Sequence, residues 1–199
     1  MKITQSKTTT VGQIDKAVAN YRALLDKHAK EFNTEAVQIV LGQPELATEQ
    51  LAVFRKRVEA ISNMIVRIVK VNRNQFPKEA INATGRVQYV NDSVLAEMPH
   101  GKGEEVKVYF FKISRQISCA DLEKEYELRD LKPDPTAQTK VNEDDPAFAD
   151  TYPNGSQWKD KNGKLCFSTF NRYDDERYVL VSRDDNDWYD HWWFAGVRK

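Results

Sequence analysis

The residues best suited to chemistry gather near the end of the chain. Asp184, Asp185, Asn186 and Asp187 follow one another, with Asp190 and His191 close behind. Carboxylates this crowded perturb one another's pKa, and a carboxylate beside an imidazole is material for acid–base catalysis. Hard cations also take carboxylate oxygens, so the run suits calcium in type. It lacks the glycine and the closing glutamate of an EF-hand loop, and an acidic turn is the plainer reading. His28, His100 and His191 are far apart, and neither Cys119 nor Cys166 has a C-x-x-C partner. A zinc site would have to be assembled by folding alone. Cys119 stands where a helix is expected to begin, a position that stabilises a thiolate. No histidine or redox partner adjoins it, so it reads as a small cap-region residue. The sequence contains no G-x-G-x-x-G, P-loop, G-x-S-x-G or H-E-x-x-H. The expectation is a protein that is not an enzyme, with no metal and no cofactor. The alternative is a small enzyme using the Asp/His cluster at 184–191.

The stretch around that cluster separates into two interleaved sets. One is bulky or structural: Phe167, Phe170, Arg172, Arg177, Val179, Val181, Arg183, Trp188 and the run Trp192 to Val197. The other begins with Asn171, Asp174, Asp175, Tyr178, Leu180 and Ser182. It continues through Asp184, Asp185, Asn186, Tyr189, Asp190 and His191. Over Arg177 to Arg183 the sets alternate, and a strand sends successive side chains to opposite faces. Val179 and Val181 then point inward, while Tyr178, Leu180 and Ser182 form an outward ladder. No Lys or Gln occurs from Ser168 to His191. Tyrosine offers rigid amphipathic area and the short polar groups offer adaptable hydrogen bonds, the chemistry of a binding surface. The second set is therefore the expected ligand-binding residues. A solvated sheet face that is polar by default is the plainer reading of the same composition.

These residues need a scaffold, and the chain texture supplies one after residue 63. Met64 to Val71 is dense in β-branched residues and predicts a strand. Pro77 fits the first turn of a short helix ending at Gly85. Arg86 to Val90 is a strand candidate turned by Asn91-Asp92, and Glu105 to Ile113 alternates as a second. Ser118 to Asp121 predicts a cap for a helix running to about Leu131. Lys132 to Asn154 reads as a Pro- and Asp-rich connector with one short helix. From Trp158 onward the pattern is a β-meander. Asp160-Lys161-Asn162-Gly163 is a hairpin turn, and strands are expected at Lys164 to Arg172, Arg177 to Arg183 and Trp192 to Arg198. Trp192, Trp193 and Phe194 are expected to anchor the last strand in the core.

Before residue 63 the period is helical. Ile14, Val18, Tyr21, Leu25, His28 and Phe32 fall on one face, and Thr10 with Gln13 predicts a capping box. Asn33 and Thr34 cap a second helix that stops at Gly42 and Pro44. Leu51, Phe54, Val58 and Ile61 mark a third, with Thr48 as its expected cap. Residues 1–62 thus read as a helical hairpin or bundle, an appendage for packing or homo-oligomerisation.

Composition narrows the partners. Thirty basic and thirty acidic residues cancel, which argues against nucleic acid and against a polybasic membrane tether. No apolar run approaches the roughly 20 residues of a membrane span. Met1 to Gly12 is polar and lacks an apolar leader, so the expected compartment is the cytoplasm. Surface display or a phage particle stays compatible with that reading.

Seven stretches add a resemblance: MIVRIVKVNR, ATGRVQYV, MPHGKGEEVKVYFF, DLEKEYELRDLKPDP, VNEDDPAFAD, PNGSQWKD and the terminal WWFAGVRK. Over about residues 63–199 the chain resembles the variable proteins of diversity-generating retroelements of bacteria, archaea and phages. The resemblance implies a C-type-lectin-like fold for that region and a variable region at about 167–199. In such proteins, reverse transcription that miscopies adenines rewrites selected codons. The resulting menu includes Asn, Asp, Tyr, Ser, His and Leu and omits Lys, Gln, Glu, Trp and Met. The outward set stays within this menu, while Glu176 and Trp188 fall outside it and read as scaffold. The chain is therefore expected to be α+β: a helical appendage, then a C-type-lectin-like domain with an antiparallel sheet. Its expected function is binding of varied ligands, such as a protein or other macromolecule, through a diversified surface. A structural or assembly protein acting through the N-terminal helices is a further alternative.

Overall fold

The computed structural model describes residues 9–199, so the expectations for residues 1–8 lie outside the described residues. The chain forms two compact units that divide after Ser62. The first is helical. α1 (Val11–His28) opens with a capping box, in which Thr10 accepts from the Gln13 N–H and Gln13 accepts from the Thr10 N–H. A 3-10 turn at Ala29–Glu31 ends the α1 face, leaving Phe32 beyond it. α2 (Thr34–Leu41) is capped by Asn33, which accepts from the Ala36 N–H, and closed at Gly42. α3 (Glu45–Ser62) starts earlier than Thr48. Its first turn forms around Pro44, with the Leu46 N–H donating to the Gln43 carbonyl, so Thr48 lies inside the helix rather than capping it. The Gln50 amide donates to the Tyr21 hydroxyl (2.7 Å), which ties α3 to α1. No residue of α1, α2 or α3 is buried.

The second unit mixes helices with one sheet. In chain order it runs β1 (Ile65–Lys70), α4 (Pro77–Ala83), β2 (Val87–Val90), α5 (Asp92–Leu95), β3 (Glu105–Lys112) and α6 (Cys119–Leu128). It continues with β4 (Leu131–Pro133), α7 (Pro135–Asp144), α8 (Phe148–Thr151), β5 (Asn154–Lys159), β6 (Leu165–Tyr173), β7 (Glu176–Arg183) and β8 (Trp193–Arg198). The strands lie side by side as β1-β3-β8-β5-β6-β7-β2, and β4 also pairs with β8. The protein is thus α+β, but its sheet is mixed: β2 runs parallel to β7, and β8 runs parallel to β5.

The topology corrects four sequence expectations. The meander holds only through β5, β6 and β7, because β8 crosses back to sit between β3 and β5. The turn expected at Asn91-Asp92 is the start of a helix. Asn91 caps α5 by accepting from the Ser93 and Val94 amides, as a parallel β2 requires a crossover. α6 ends at Leu128 rather than near Leu131, since Asp130 adopts a left-handed conformation (φ +54°) and Leu131 already pairs with Arg198. The segment 132–154, expected as a connector with one short helix, carries two helices, α7 and α8, and α7 is buried in the centre of the fold. Gln138, Thr139 and Asn142 of α7 are fully buried. Their polar groups satisfy one another and the sheet. The Gln138 amide donates to Asn154 (2.9 Å), Asn142 donates to the same oxygen (3.0 Å), and the Ser168 hydroxyl donates to Gln138 (2.7 Å). A polar helix can sit in a core when every group finds a partner.

One face of the sheet packs on α4, α5, α7 and α8. Val108, Phe110, Ala195 and Val197 meet Ala137, Val141 and Phe148. Phe170, Val179 and Val181 meet Ile81, Val94, Leu95 and Met98. Arg73 fastens the loop before β3 to α7. It donates to the His100, Lys102 and Gly103 carbonyls and pairs with buried Asp134 (2.8 Å), the α7 cap. Gly101 allows this approach: its φ is +69°, and a Cβ there would lie 2.4 Å from the Asp134 carboxylate. Trp193 is half-buried against Tyr152 (ring centroids 5.2 Å) and Phe194 is fully buried. Trp192 precedes β8 and does not join the core.

At the far end of the β6–β7 hairpin, Asp150 of α8 accepts from Arg177 through both oxygens (3.0 and 2.6 Å) and pairs with Arg172 (3.3 Å). The Arg177 guanidinium foremost, with Arg172, holds the Asp150 carboxyl below the usual carboxylate range although burial opposes it. A depressed native pKa stabilises the fold above the unfolded value of about 4 and ceases to do so as pH falls through the native one. Asp150→Asn should therefore lower the melting temperature at pH 7. The gap to wild type should close progressively below about pH 4. Thermal unfolding of both proteins across pH 2–7 checks this, and a gap that stays constant or widens toward acid contradicts it.

Candidate ligand-binding cleft

The other face of the sheet carries the candidate site. Register places Asn171 opposite Tyr178, Thr169 opposite Leu180 and Phe167 opposite Ser182 on β6 and β7. Side chains directly opposite share a face. Ser168 opposite Val181 and Phe170 opposite Val179 then face the core, where all four are essentially inaccessible. The β7 alternation read from the sequence is therefore present. Pairing carries the same face across to β5, with Gly155 opposite Thr169 and Gln157 opposite Phe167, and to β2, with Val87 opposite Tyr178 and Tyr89 opposite Leu180. The Tyr89 and Tyr178 rings meet edge to face at 5.9 Å.

Over part of this face α6 packs on β3 and β8. Tyr126 donates to the Ala195 carbonyl (2.8 Å), and its ring meets Phe111 at 5.0 Å. Beside α6 the segment 184–192 is held down by Trp188. Its backbone makes two hydrogen bonds with Ile117 (2.9 and 2.8 Å). Its indole N–H donates to Gln157 (3.0 Å), whose own amide donates to the Cys119 carbonyl (2.9 Å). The ring lies on Gly155, where a Cβ would come within 2.7 Å of it. Cys119 donates to the Asn186 carbonyl and Gln116 to Asp187 (3.0 Å), which fixes the acidic run on the same base.

Around Trp188 the rings form a chain. Phe167 and Trp192 each touch it (5.8 and 5.9 Å), Trp192 meets His191 (4.7 Å), and His191 stacks with Tyr189 (6.3 Å, 12° between planes). Between this chain and the β6–β7 surface lies a cleft of about 750 Å³, within the range typical of ligand sites.

Of the expected binding residues, Asn171, Tyr178, Leu180, Asp184, Asp185, Asn186, Tyr189 and His191 line the cleft. The others do not. Asp174 (φ +51°) and Asp175 lie at the β6–β7 turn, where Arg172 binds the Asp174 carbonyl and the Asp175 carboxylate. Ser182 shares the face without lining the cleft, and Asp190 is exposed outside it. The cleft also uses residues that the sequence reading assigns to the scaffold or passes over. Phe167, Trp188 and Trp192 are bulky residues taken as structural, yet they form the wall. For Phe167 the role follows from register: β6 obeys the same alternation as β7. Ser168 on its core face and Phe167 on its open face obscure that period. Asp187 belongs to the acidic run and was open to inclusion by continuity. Gln116, Cys119 and Gln157 arrive from separate elements and carry no local signal.

Burial foremost, then the negative charges of Asp187, Asp185 and Asp184, push the Cys119 thiol up, which keeps it protonated and poorly nucleophilic. Among the described residues no group of three or more His, Cys, Asp or Glu is placed to hold a metal ion. Among the same residues no helix is long and apolar enough to cross a membrane. Comparison of the chain with family models, with curated proteins and with solved structures gives no match in any of the three.

The seat of Trp188 is directly testable. Gly155→Ala should displace the indole, lower stability by about 1–3 kcal/mol through overpacking, and change the near-ultraviolet circular dichroism of the tryptophans. A variant with wild-type melting temperature and spectrum would contradict this packing.

Proposed function

We propose that the chain is a non-enzymatic binding protein of the kind diversified by retroelements. In this reading residues 63–199 are its C-type-lectin-like domain and the cleft is its ligand-binding surface. One observation carries the reading. Eight of the twelve outward residues, all within the diversification menu and dispersed from Asn171 to His191, line one cleft, while their strand neighbours Phe170, Val179 and Val181 make the core. Recognition and folding are thereby assigned to alternate positions of the same strands. Substitution at exposed positions costs little stability, usually within about 0.5 kcal/mol, so such a surface tolerates rewriting. The ligand is a protein or another macromolecule. The site residues are Asn171, Tyr178, Leu180, Asp184, Asp185, Asn186, Tyr189 and His191, resting on Trp188 and Gln157. The aromatic residues supply the anchoring area.

Simultaneous randomisation of these eight positions within the retroelement menu, displayed on phage, tests the reading. Most variants should fold with melting temperatures within a few degrees of wild type, and selection against arbitrary proteins should yield specific binders. General unfolding of the library, or binders unaffected by reverting the eight positions, would overturn it.

A second assignment concerns residues up to Ser62, for which we propose self-association. Val18, Leu24, Ile39, Leu41, Leu51 and Val53 are more than half exposed although apolar. Helices of this length draw most of their stability from packing an apolar face. Light scattering on the full chain should give a multiple of the 23.0 kDa protomer mass, and Leu51→Glu should return it to the monomer. A monomeric wild-type chain would refute the assignment.

A further inference from the structure

The cleft carries a net charge that its own fold does not neutralise. Asp184, Asp185 and Asp187 line it, and neither lysine nor arginine does. Among the described residues none of these three carboxylates forms an ion pair, although carboxylates nearby do. Arg183, adjacent to Asp184 in the chain, gives its guanidinium to buried Asp160 (2.8 Å), and Arg177 gives its own to Asp150 (2.6 Å). The hydrogen bonds that reach the three acids are neutral: Asn186 donates to Asp184, and Gln116 to Asp187. Their negative charges also act on the Cys119 thiol beside Trp188, so their field extends into the cleft.

Aromatic rings share the lining with the acids. Tyr178, Tyr189, Phe167 and Trp192 border the same space. A cation over an aromatic face gains about 0.5–2 kcal/mol according to how far it is desolvated. A carboxylate facing a guanidinium adds charge-assisted hydrogen bonds. The carboxylates do not converge as metal ligands, so a multivalent metal ion does not match them. Three separate carboxylates suit several separated cations. The open face continues past Tyr178 onto exposed Val87 and Tyr89 of β2, giving room for an extended chain rather than a single amine.

Resting on the reading of this cleft as the ligand site, we infer that its occupant is a basic protein segment that inserts arginine or lysine side chains among the Asp184, Asp185 and Asp187 carboxylates and the aromatic rings that line it. Specificity then comes from rejection as well as attraction, because an acidic segment meets unpaired carboxylates.

The test is calorimetric titration of the full chain with hexaarginine and with hexaglutamate. Hexaarginine should bind in 20 mM salt and lose about tenfold or more in affinity at 200 mM, since exposed charges are screened over that range. Hexaglutamate should not bind. The triple variant D184N/D185N/D187N should weaken hexaarginine by about tenfold at unchanged melting temperature. Tyr178→Ala should weaken it severalfold, a loss that charge alone would not produce. The control E123Q/E127Q/D130N, on and after α6, should stay within about twofold. Absence of hexaarginine binding, or binding that the triple variant and Tyr178→Ala leave intact, overturns the inference. The two readings fail differently. Neutral ligands that still compete for the eight diversified positions would remove the basic occupant and leave the site. Hexaarginine lost in the control and kept in the triple variant would move the site elsewhere.

Discussion

The cleft depends on one contact, the indole of Trp188 seated on Gly155. A tryptophan buries roughly 150–250 Å², worth on the order of 4–6 kcal/mol as an upper bound. Here that area is spent on a segment with no regular structure of its own, residues 184–192. The contact is possible because position 155 has no side chain and because Gln157, two residues along the same strand, presents an acceptor to the indole N–H. Gln157 in turn is held by the Cys119 carbonyl at the start of α6. Three separated parts of the chain thus meet at one ring. Together with the Cys119–Asn186 and Gln116–Asp187 hydrogen bonds, it holds the acidic run over the sheet.

The two faces of the sheet bear different constraints. The face on α4, α5, α7 and α8 is closed, and its centre holds a buried polar layer of Gln138, Asn142, Asn154 and Ser168. Such a layer costs desolvation in every arrangement except the one in which all partners align. It therefore favours a single register of α7 against β5 and β6. The opposite face needs no such exclusivity over β6, β7 and β2, where side chains meet solvent. Strand alternation lets one segment satisfy both demands at once.

Charge is handled by location. Where carboxylates are enclosed they are paired, as Asp134 with Arg73, Asp150 with Arg177 and Asp160 with Arg183. A buried charge without its partner is costly. Asp184, Asp185 and Asp187 escape that requirement because they stay exposed at the rim of the cleft. Their unpaired state is therefore compatible with stability.

Much of this was legible in the chain because the signals are local. The Thr10–Gln13 capping box, the Asn33 cap, Pro77 at a helix start, the Asp160–Gly163 hairpin turn and the alternation of Arg177 to Arg183 each rest on residues within a few positions of one another. Solvent-facing polar residues beside core valines likewise marked the open face of β7. What the sequence left undetermined is non-local. Nothing within α7 distinguishes buried Gln138 and Asn142 from solvated polar residues, because their partners lie on other elements. The crossing of β8 to the middle of the sheet, and the parallel pairing of β2, depend on strand order rather than on strand content. The seating of Trp188 beneath the cleft depends on Gly155, whose missing side chain matters only once β5 and the loop are brought face to face. Periodicity and caps are properties of neighbours along the chain and can be read there. A cleft is a property of neighbours in space, and only the folded chain supplies them.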